Sequence, residues 1–171
     1  MSARTIPTLG PWTRQDVAHA SRRGFQKALG LKLVAVSRRR LSAELVVGPN
    51  HTNSVGRVHG AVLMALGDSL GGLGALQNLE SDQATATLES KTNFLRPAQG
   101  PKLHADCRAL HIGRRTSVWQ TTIRNGRSRP VAIVTQTQLH YAPGSIPNGP
   151  PHVSQRAPHA RSKIRGRQKS I

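Results

Sequence analysis

One long apolar stretch constrains the fold of this chain more than any other feature. Between Ala61 and Leu79 the sequence carries a single charged residue, Asp68. Leucines recur there at intervals of three and four residues, which is the spacing of one face of an α-helix. Alanine and glycine fill most positions between them, so the predicted helix is apolar nearly all round and should be buried. The leucines are Leu63, Leu66, Leu70, Leu73 and Leu76.

Glycines and the lone acid make this helix unusual. Each glycine in a helix interior costs roughly 1 kcal/mol relative to alanine. A helix that carries several is predicted to lie very close to other backbone, as it would inside a wrapped sheet. An ionised carboxylate is costly to bury, which makes Asp68 a candidate functional residue, although it could instead reach solvent or cap a neighbour. The glycines are Gly60, Gly67, Gly71, Gly72 and Gly74.

The overall composition predicts one cytoplasmic domain. A length of 171 residues fits a single domain. The N-terminus lacks the apolar core of a signal peptide, and Asp68 and the glycines argue against a membrane span. Cys107 is the one cysteine, which excludes an intrachain disulfide and a cysteine-rich metal site. We expect neither a metal nor a cofactor.

The chain is strongly basic, with a formal net charge of +18. Residues 143–171 contain six basic residues and no acid, and they are rich in Pro, Gly and Ser. This composition predicts a basic, disordered tail. Residues 1–12 are predicted to be flexible, which leaves 13–142 for the folded domain. Basic surfaces attract polyanions, so the candidate partners are nucleic acid, an anionic surface and a phosphorylated ligand such as coenzyme A.

Periodicity predicts the element order α-β-β-α-β-β-β-β. A first helix begins at Arg14 after the capping Thr13 and ends at Gly30. Two short runs form a hairpin around residues 38–40, and four long runs follow the apolar helix, with short turns such as Asn125-Gly126. An antiparallel sheet with one apolar helix on its concave face is an α+β arrangement. The predicted strands are 31–36, 41–47, 84–95, 102–112, 115–124 and 130–141.

The first long strand alternates with period two. This alternation places Thr85 and Thr87 on one face and Leu88 and Phe94 on the other. Cys107 alternates with apolar neighbours in the next strand, as a core residue does.

Several motifs together resemble a known family. His59-Gly60-Ala61 is followed, nine residues after the histidine, by Asp68, and later by Asn93-Phe94-Leu95-Arg96-Pro97. This combination resembles the hotdog-fold acyl-CoA thioesterases of the phenylacetic-acid-degradation (PaaI-like) type, and Ile112-Gly113-Arg114 resembles their Gly-Arg turn. The resemblance covers about residues 25–141 and implies a hotdog fold, in which an antiparallel sheet wraps around one long helix. Ala61 and Gly67 depart from the family pattern, and the basic tail has no counterpart in it.

The resemblance implies hydrolysis of acyl-CoA thioesters to a free acid and CoA. Asp68 is the candidate base or nucleophile, and the helix N-terminus at Gly60 is the candidate oxyanion site. His59 could add a side-chain donor, or it could merely cap the helix. Asn53 and Thr87 match family positions that hold the carbonyl or the hydrolytic water. The candidate contacts for CoA are Arg96, Gly113, Arg114 and Arg115.

The spacing of Gly60 and Asp68 argues for a shared site. Eight residues along one α-helix span roughly 12 Å, so one thioester carbonyl cannot reach both groups. Either the helix is broken, or each site combines Gly60 of one chain with Asp68 of another about a two-fold axis. The resemblance implies the same assembly, a homodimer or a homotetramer with sites at the seam.

Other functions stay open at this point. A hotdog dehydratase also uses a histidine and an acid, although the spacing here follows the thioesterase pattern. The remaining alternatives are a non-catalytic hotdog protein that binds acyl-CoA and a basic protein that binds nucleic acid, with weak polyanion binding through the tail. Aryl and medium-chain acyl groups are both candidate substrates.

Overall fold

The computed structural model describes residues 9–126 and 129–145. The predicted flexible N-terminus and basic tail therefore fall mainly outside the described residues, at 1–8 and 146–171. Within the described part, Gly10 and Trp12 donate main-chain hydrogen bonds of 2.8 and 2.9 Å to Gln83 and Leu76. These bonds tie residues 10–12 to the end of the central helix and to the start of the strand that follows it.

The helices and strands run from Arg14 to Tyr141, with a short 3₁₀ turn at Pro49–His51. The main elements are α1 (Arg14–Ala20), α2 (Gly24–Leu29), β1 (Leu31–Ser37), β2 (Arg40–Val46), α3 (Gly60–Leu76), β3 (Ala84–Phe94), β4 (Lys102–Ile112), β5 (Thr116–Asn125) and β6 (Pro130–Tyr141).

The N-terminal helix is two helices rather than the single one that its periodicity predicts. Thr13 caps α1 through a capping box with Asp16, and Gly30 ends α2 in the left-handed conformation. Between them, Gly24 has a φ of +50°. A continuous α-helix has no place for a left-handed residue, so the chain turns there. The helical segment begins and ends where the sequence predicts, but the prediction of one continuous helix is wrong.

The six strands form one antiparallel sheet in the order β1-β2-β4-β5-β6-β3. β3 directly follows α3 in the chain, yet it lies at the far edge of the sheet, where it pairs with β6. The other edge of β3 has no strand partner among the described residues. The predicted α+β architecture is confirmed, with one long helix packed against the sheet. None of the described helices has the length and apolar character needed to cross a membrane.

Glycines on one side of α3 allow the sheet to approach it. A Cβ atom on Gly67 would lie 2.4 Å from Val134, and one on Gly71 would lie 2.4 Å from Gln136. On Gly74 the added atom would lie 2.7 Å from the ring of Trp119. These distances are far below van der Waals contact, so the sheet occupies the space where side chains would be. The prediction that a sheet lies very close to this helix is confirmed, although side chains of the sheet, rather than its backbone, fill the space at these glycines.

The opposite side of α3 remains open in the single chain. Ala61 and Met64 are exposed, and Ala65, Asp68 and Gly72 are partly exposed. These five residues define a surface that we call the open strip. The prediction that α3 is buried on every side is therefore wrong for one protomer, because the sheet covers only one side of the helix.

A β-bulge in β3 changes which side chains face α3. Thr87 pairs with Gln138 and Glu89 pairs with Thr137, so Leu88 has no partner opposite it. An extra residue of this kind reverses the alternation beyond it. Thr87 before the bulge and Phe94 after it both contact α3. The prediction that these two residues lie on opposite faces is wrong for that reason.

The glycine contacts predict opposite effects of two similar substitutions. Gly67→Ala should lower the free energy of unfolding by about 1–3 kcal/mol, because the new methyl group meets Val134 in a packed core. In the unassociated protomer, Gly72→Ala should raise it by up to about 1 kcal/mol, because its Cβ meets no atom within 4 Å and alanine favours the helix. Urea unfolding of both variants checks the pair, and equal stabilities would contradict the packing argument.

Candidate active site

A pocket of about 340 Å³ lies between α2, α3, β3 and β6. Asp68 is the one ionisable residue in its lining, and it stands in the open strip of α3. Phe25 and Gln26 of α2 close one side, and Thr87 of β3 closes another. The full lining is Phe25, Gln26, Ala65, Asp68, Ser69, Gly72, Leu73, Leu76, Thr85, Ala86, Thr87 and Gln138.

Asp68 is held by a short hydrogen-bonded chain. Thr87 Oγ1 donates to Asp68 Oδ1 over 3.4 Å, and Gln138 Nε2 donates to Thr87 Oγ1 over 2.8 Å. Partial burial raises the pKa of the Asp68 carboxyl, and the Thr87 hydrogen bond lowers it, with burial the larger effect. A partly desolvated carboxylate is a stronger base than one in water. We call Asp68, Thr87 and Gln138 the acid half-site.

The N-terminus of α3 presents main-chain and side-chain donors. His59 is the N-cap residue, and its Nδ1 accepts a 3.0 Å hydrogen bond from the Ala61 amide. In the neutral imidazole the proton then resides on Nε2, which leaves that atom a donor. Among the hydrogen bonds of the described residues, none uses the Gly60 amide as donor, and Phe94 packs against Gly60. His59 therefore caps the helix and still keeps a donor.

Asn53 organises the loop that leads into this helix. Its Oδ1 accepts hydrogen bonds of 3.1 and 3.0 Å from the main-chain amides of Val55 and Arg57. The side-chain oxygen is thus used in a loop of the Asx type, and the amide nitrogen is the part left for a ligand. We call Asn53, His59 and Gly60 the amide half-site.

The two half-sites of one chain are far apart. The helix is continuous from Gly60 to Leu76, which removes the alternative of a broken helix and keeps Gly60 and Asp68 roughly 12 Å apart along its axis. Along β3, Thr87 lies near the start and Phe94 at the end. One chain therefore does not bring the acid and the oxyanion donors to the same carbonyl.

The predicted CoA-binding residues also fall into two groups. The Arg96 guanidinium donates a 2.8 Å hydrogen bond to the carbonyl of Pro130, beyond the end of β3. The turn between β4 and β5 consists of Gly113, Arg114 and Arg115. Both arginines line a pocket of about 370 Å³ near the start of β3. Since β3 has 11 residues, the two groups are separated by roughly 30 Å within one chain.

Cys107 belongs to the core and not to this arrangement. Cys107 is fully buried in the core, and burial raises the pKa of its thiol to about 12, so its expected role as a core residue is confirmed. Among residues 9–126 and 129–145, no cluster of three or more His, Cys, Asp or Glu side chains has the arrangement of a metal site.

Sequence reasoning missed Gln138. The signal was present, because period two along β6 places Val134, Gln136 and Gln138 on the same face, and all three are buried. A polar residue in register with the core side of a strand needs a hydrogen-bond partner. Identifying that partner required the pairing of β6 with β3, which sequence spacing does not give.

Residues 55–132 match the family model of the thioesterase superfamily. The chain is 28% identical over 110 residues to a 1,4-dihydroxy-2-naphthoyl-CoA hydrolase of Listeria monocytogenes, covering 64% of this chain and 89% of that protein. It is 28% identical over 89 residues to the proofreading thioesterase EntH of Klebsiella pneumoniae, covering 52% and 65%. The region shared with these relatives is similar to the thioesterase superfamily.

A solved structure supports the same assignment. The crystal structure of a thioesterase family protein from Silicibacter pomeroyi superposes with a TM-score of 0.69 at 26% identity, covering 75% of this chain and 97% of that one. The fold is the hotdog fold, as the sequence motifs predict. The superfamily match and the named relatives support thioester hydrolysis in general terms.

The raised pKa of Asp68 predicts a pH-dependent gain in stability for Asp68→Asn. In the folded protein the carboxyl group keeps its proton to higher pH than in the unfolded chain, so its ionisation opposes folding. At pH 7 the variant should therefore be more stable than the wild type. The advantage should fade as the pH falls through the raised pKa toward the ordinary value.

Urea unfolding between pH 7 and pH 4 measures this effect. Asp82→Asn, at an exposed turn position, is the matched control for removing one negative charge from a basic chain. A stability difference between Asp68→Asn and the wild type that stays constant over this pH range would contradict the predicted burial of the charge.

Proposed function

We propose that this protein is a cytoplasmic, PaaI-like acyl-CoA thioesterase that hydrolyses acyl-CoA to a free acid and CoA. The observation that carries the proposal is the acid half-site, where a partly buried carboxylate with a raised pKa lines a pocket and accepts a hydroxyl hydrogen bond. Catalytic carboxylates are tuned in this way by burial. The superfamily match and the named CoA hydrolase relative support the substrate class.

Each half-site supplies one part of the hydrolysis. Asp68 either takes the proton of an attacking water or attacks the thioester carbonyl itself, with Thr87 orienting the carboxylate or the water. The Gly60 amide, at the positive end of the helix dipole, stabilises the negative charge that develops on the carbonyl oxygen. His59 Nε2 and the Asn53 amide are further donors to that oxygen. Cleavage of the C–S bond then releases CoA, whose thiolate takes up the proton lost by the attacking water. If Asp68 attacks instead, a water molecule afterwards hydrolyses the acyl–Asp68 anhydride to the free acid and supplies that proton.

A two-fold dimer would assemble complete sites from these halves. β3 offers a long edge without a strand partner among the described residues. Exposed apolar side chains lie on this strand at Leu88 and Phe94 and on α3 at Met64. A long unpaired edge favours pairing with another strand, and burial of the exposed apolar side chains would stabilise that pairing. Antiparallel pairing of two β3 edges sets the start of one strand beside the end of the other. The acid half-site of one protomer then lies next to the amide half-site of its partner.

The same pairing would bring together the two separate groups of candidate CoA-binding residues. The turn with Gly113, Arg114 and Arg115 lies near the start of β3, and Arg96 lies just past its end. Antiparallel β3 strands bring the turn of one protomer toward Arg96 of the other. Two separate patches of positive charge suit the phosphates of a long anionic carrier such as CoA.

Thiol release from a panel of aryl and medium-chain acyl-CoAs tests the reaction. At least one substrate should be hydrolysed, and Asp68→Asn should lower kcat by about 100-fold or more, because the amide cannot act as a base or nucleophile. A folded wild-type protein that releases no thiol from any acyl-CoA, and instead binds nucleic acid in a salt-sensitive manner, would overturn the proposal.

Mixed dimers test whether the sites are shared. Gly60→Pro removes the oxyanion amide at the first helical position, where proline is tolerated, and Asp68→Ala removes the carboxylate. Each variant alone should be inactive. A randomly mixed dimer population should regain about one quarter of wild-type activity, since half of the dimers would hold one intact site of two.

Gly60→Ala is the matched control, because it adds a methyl group near Phe94 but keeps the amide. It should retain much more activity than Gly60→Pro. If the mixture of Gly60→Pro and Asp68→Ala chains stays inactive while both variants are folded dimers, the sites are not shared.

A further inference from the structure

Gln138 is a buried amide directly behind Thr87. It is 1% exposed, and it lies on β6 opposite Thr87 of β3. Its Nε2 donates to Thr87 Oγ1 over 2.8 Å, and its Oε1 accepts from Thr85 Oγ1 over 3.1 Å. Both ends of the amide thus meet hydroxyl groups that line the Asp68 pocket, and Gln138 Oε1 shares the Thr85 hydrogen with the main-chain oxygen of Leu139 at 2.9 Å.

The direction of this amide decides where the Thr87 proton goes. A hydroxyl group has one hydrogen to donate. Because Gln138 donates to Thr87, that hydrogen remains for Asp68 Oδ1 at 3.4 Å. With the amide reversed, Gln138 Oε1 would accept the proton instead, and Asp68 would lose this bond. An ionised Asp68 favours the observed direction, because hydrogen bonds to a charged acceptor are the stronger ones.

We propose that Gln138 is a positioning residue for the hydrolysis, which keeps the Thr87 hydroxyl directed at the Asp68 carboxylate. The proposal deepens the thioesterase function and rests on it for the catalytic consequence. Gln138 makes no hydrogen bond to the Asp68 carboxylate itself. Its influence on Asp68 passes through Thr87. Asp68 then enters the reaction as an oriented, ionised carboxylate.

No charged group in the pocket lining, other than Asp68 itself, acts on the pKa of Asp68. The groups facing the pocket are uncharged on every element, namely Phe25 and Gln26 on α2, Thr85, Ala86 and Thr87 on β3, and Gln138 on β6. On α3 the lining neighbours of Asp68 are also uncharged. The pKa of Asp68 is raised by burial and lowered by the Thr87 hydrogen bond. A change in the Thr87 bond should therefore be visible in the titration of Asp68.

Gln136 provides a matched comparison two residues earlier on the same strand. It is equally buried at 1% exposure, and its Nε2 donates over 3.1 Å to the main-chain oxygen of Asp68. Gln136 thus contacts Asp68 on the backbone side, whereas Gln138 reaches the carboxylate through Thr87. A general loss of packing in β6 would follow from replacing either residue, but only Gln138 should affect the carboxyl group.

Carboxyl ¹³C NMR of Asp68, assigned with Asp68→Asn, is the primary measurement. Gln138→Glu should raise the pKa of Asp68 most, because a carboxylate at this position accepts the Thr87 proton and adds a nearby negative charge, so that the two carboxyl groups titrate as a coupled pair. Gln138→Met should raise it less, because the hydroxyl is freed but no charge is added. Gln136→Met should leave the Asp68 titration unchanged, even where it lowers stability.

Kinetics provide the second measurement. The acidic limb of the pH profile of kcat/KM should move to higher pH in the same order as the NMR titration. In a Thr87→Val background, Gln138→Met should cause no further shift, because its effect passes through Thr87. If Gln138→Met does not fold, Gln138→Leu, which also removes the amide, takes its place and should produce the same smaller shift.

The two measurements separate this proposal from the proposed function. If the Gln138 variants shift the Asp68 titration but the wild-type protein releases no thiol, the positioning of Asp68 is supported and the thioesterase proposal is overturned. If the wild-type protein releases thiol but neither Gln138→Glu nor Gln138→Met changes the Asp68 titration, the proposed role of Gln138 is overturned. Additive effects of Gln138→Met and Thr87→Val would also overturn it.

Discussion

The close contact between α3 and the sheet is the interaction on which the rest of the structure depends. Gly67, Gly71 and Gly74 face the sheet, and the side chains of Val134, Gln136 and Trp119 occupy the space that these glycines leave free. Because one side of the helix is filled so completely, its orientation about its own axis is fixed. Asp68, one residue past Gly67, must then lie beside β3 in the open strip, and its carboxyl group is only partly buried.

This orientation also joins two surfaces that would otherwise be unrelated. The open strip of α3 runs beside β3, and Thr87 of β3 reaches Asp68 in that strip. One partner protomer aligned along β3 would therefore cover the edge of the sheet and the exposed side of the helix together. The apolar residues at both places, Leu88 and Met64, are 59% and 44% exposed. Burial of this surface is the driving force that we assign to the proposed dimer.

The sequence predicts the repetitive parts of this fold well, because they depend on local periodicity. The four long strands and the central helix lie within a few residues of their predicted bounds. The errors arise where one residue interrupts a repeat: Gly24 splits the first helix, and the bulge at Leu88 reverses the faces of β3. Local spacing contains no signal for a bulge, since it depends on how β3 pairs with β6.

The candidate site shows the same division. Motif resemblance singled out Asp68, Gly60 and Thr87 as candidates, and the separation of Gly60 and Asp68 along a helix was already calculable from the sequence. Gln138 was not located, because its relation to Asp68 passes through an antiparallel register between β3 and β6. The hydrogen-bonded chain thus required the pairing of two strands whose order in the sheet differs from their order in the sequence.

In the proposed mechanism Asp68 is both desolvated and ionised, and these two conditions oppose each other. Burial raises the pKa of the carboxyl group, and the Thr87 hydrogen bond lowers it. In the proposed dimer, the partner covers the open strip and removes more water from Asp68, so burial acts more strongly there than in one protomer. The Thr87 bond would then be the main interaction that keeps the carboxylate charged. For that reason the direction of the Gln138 amide, which determines where the Thr87 proton points, matters most when the site is complete.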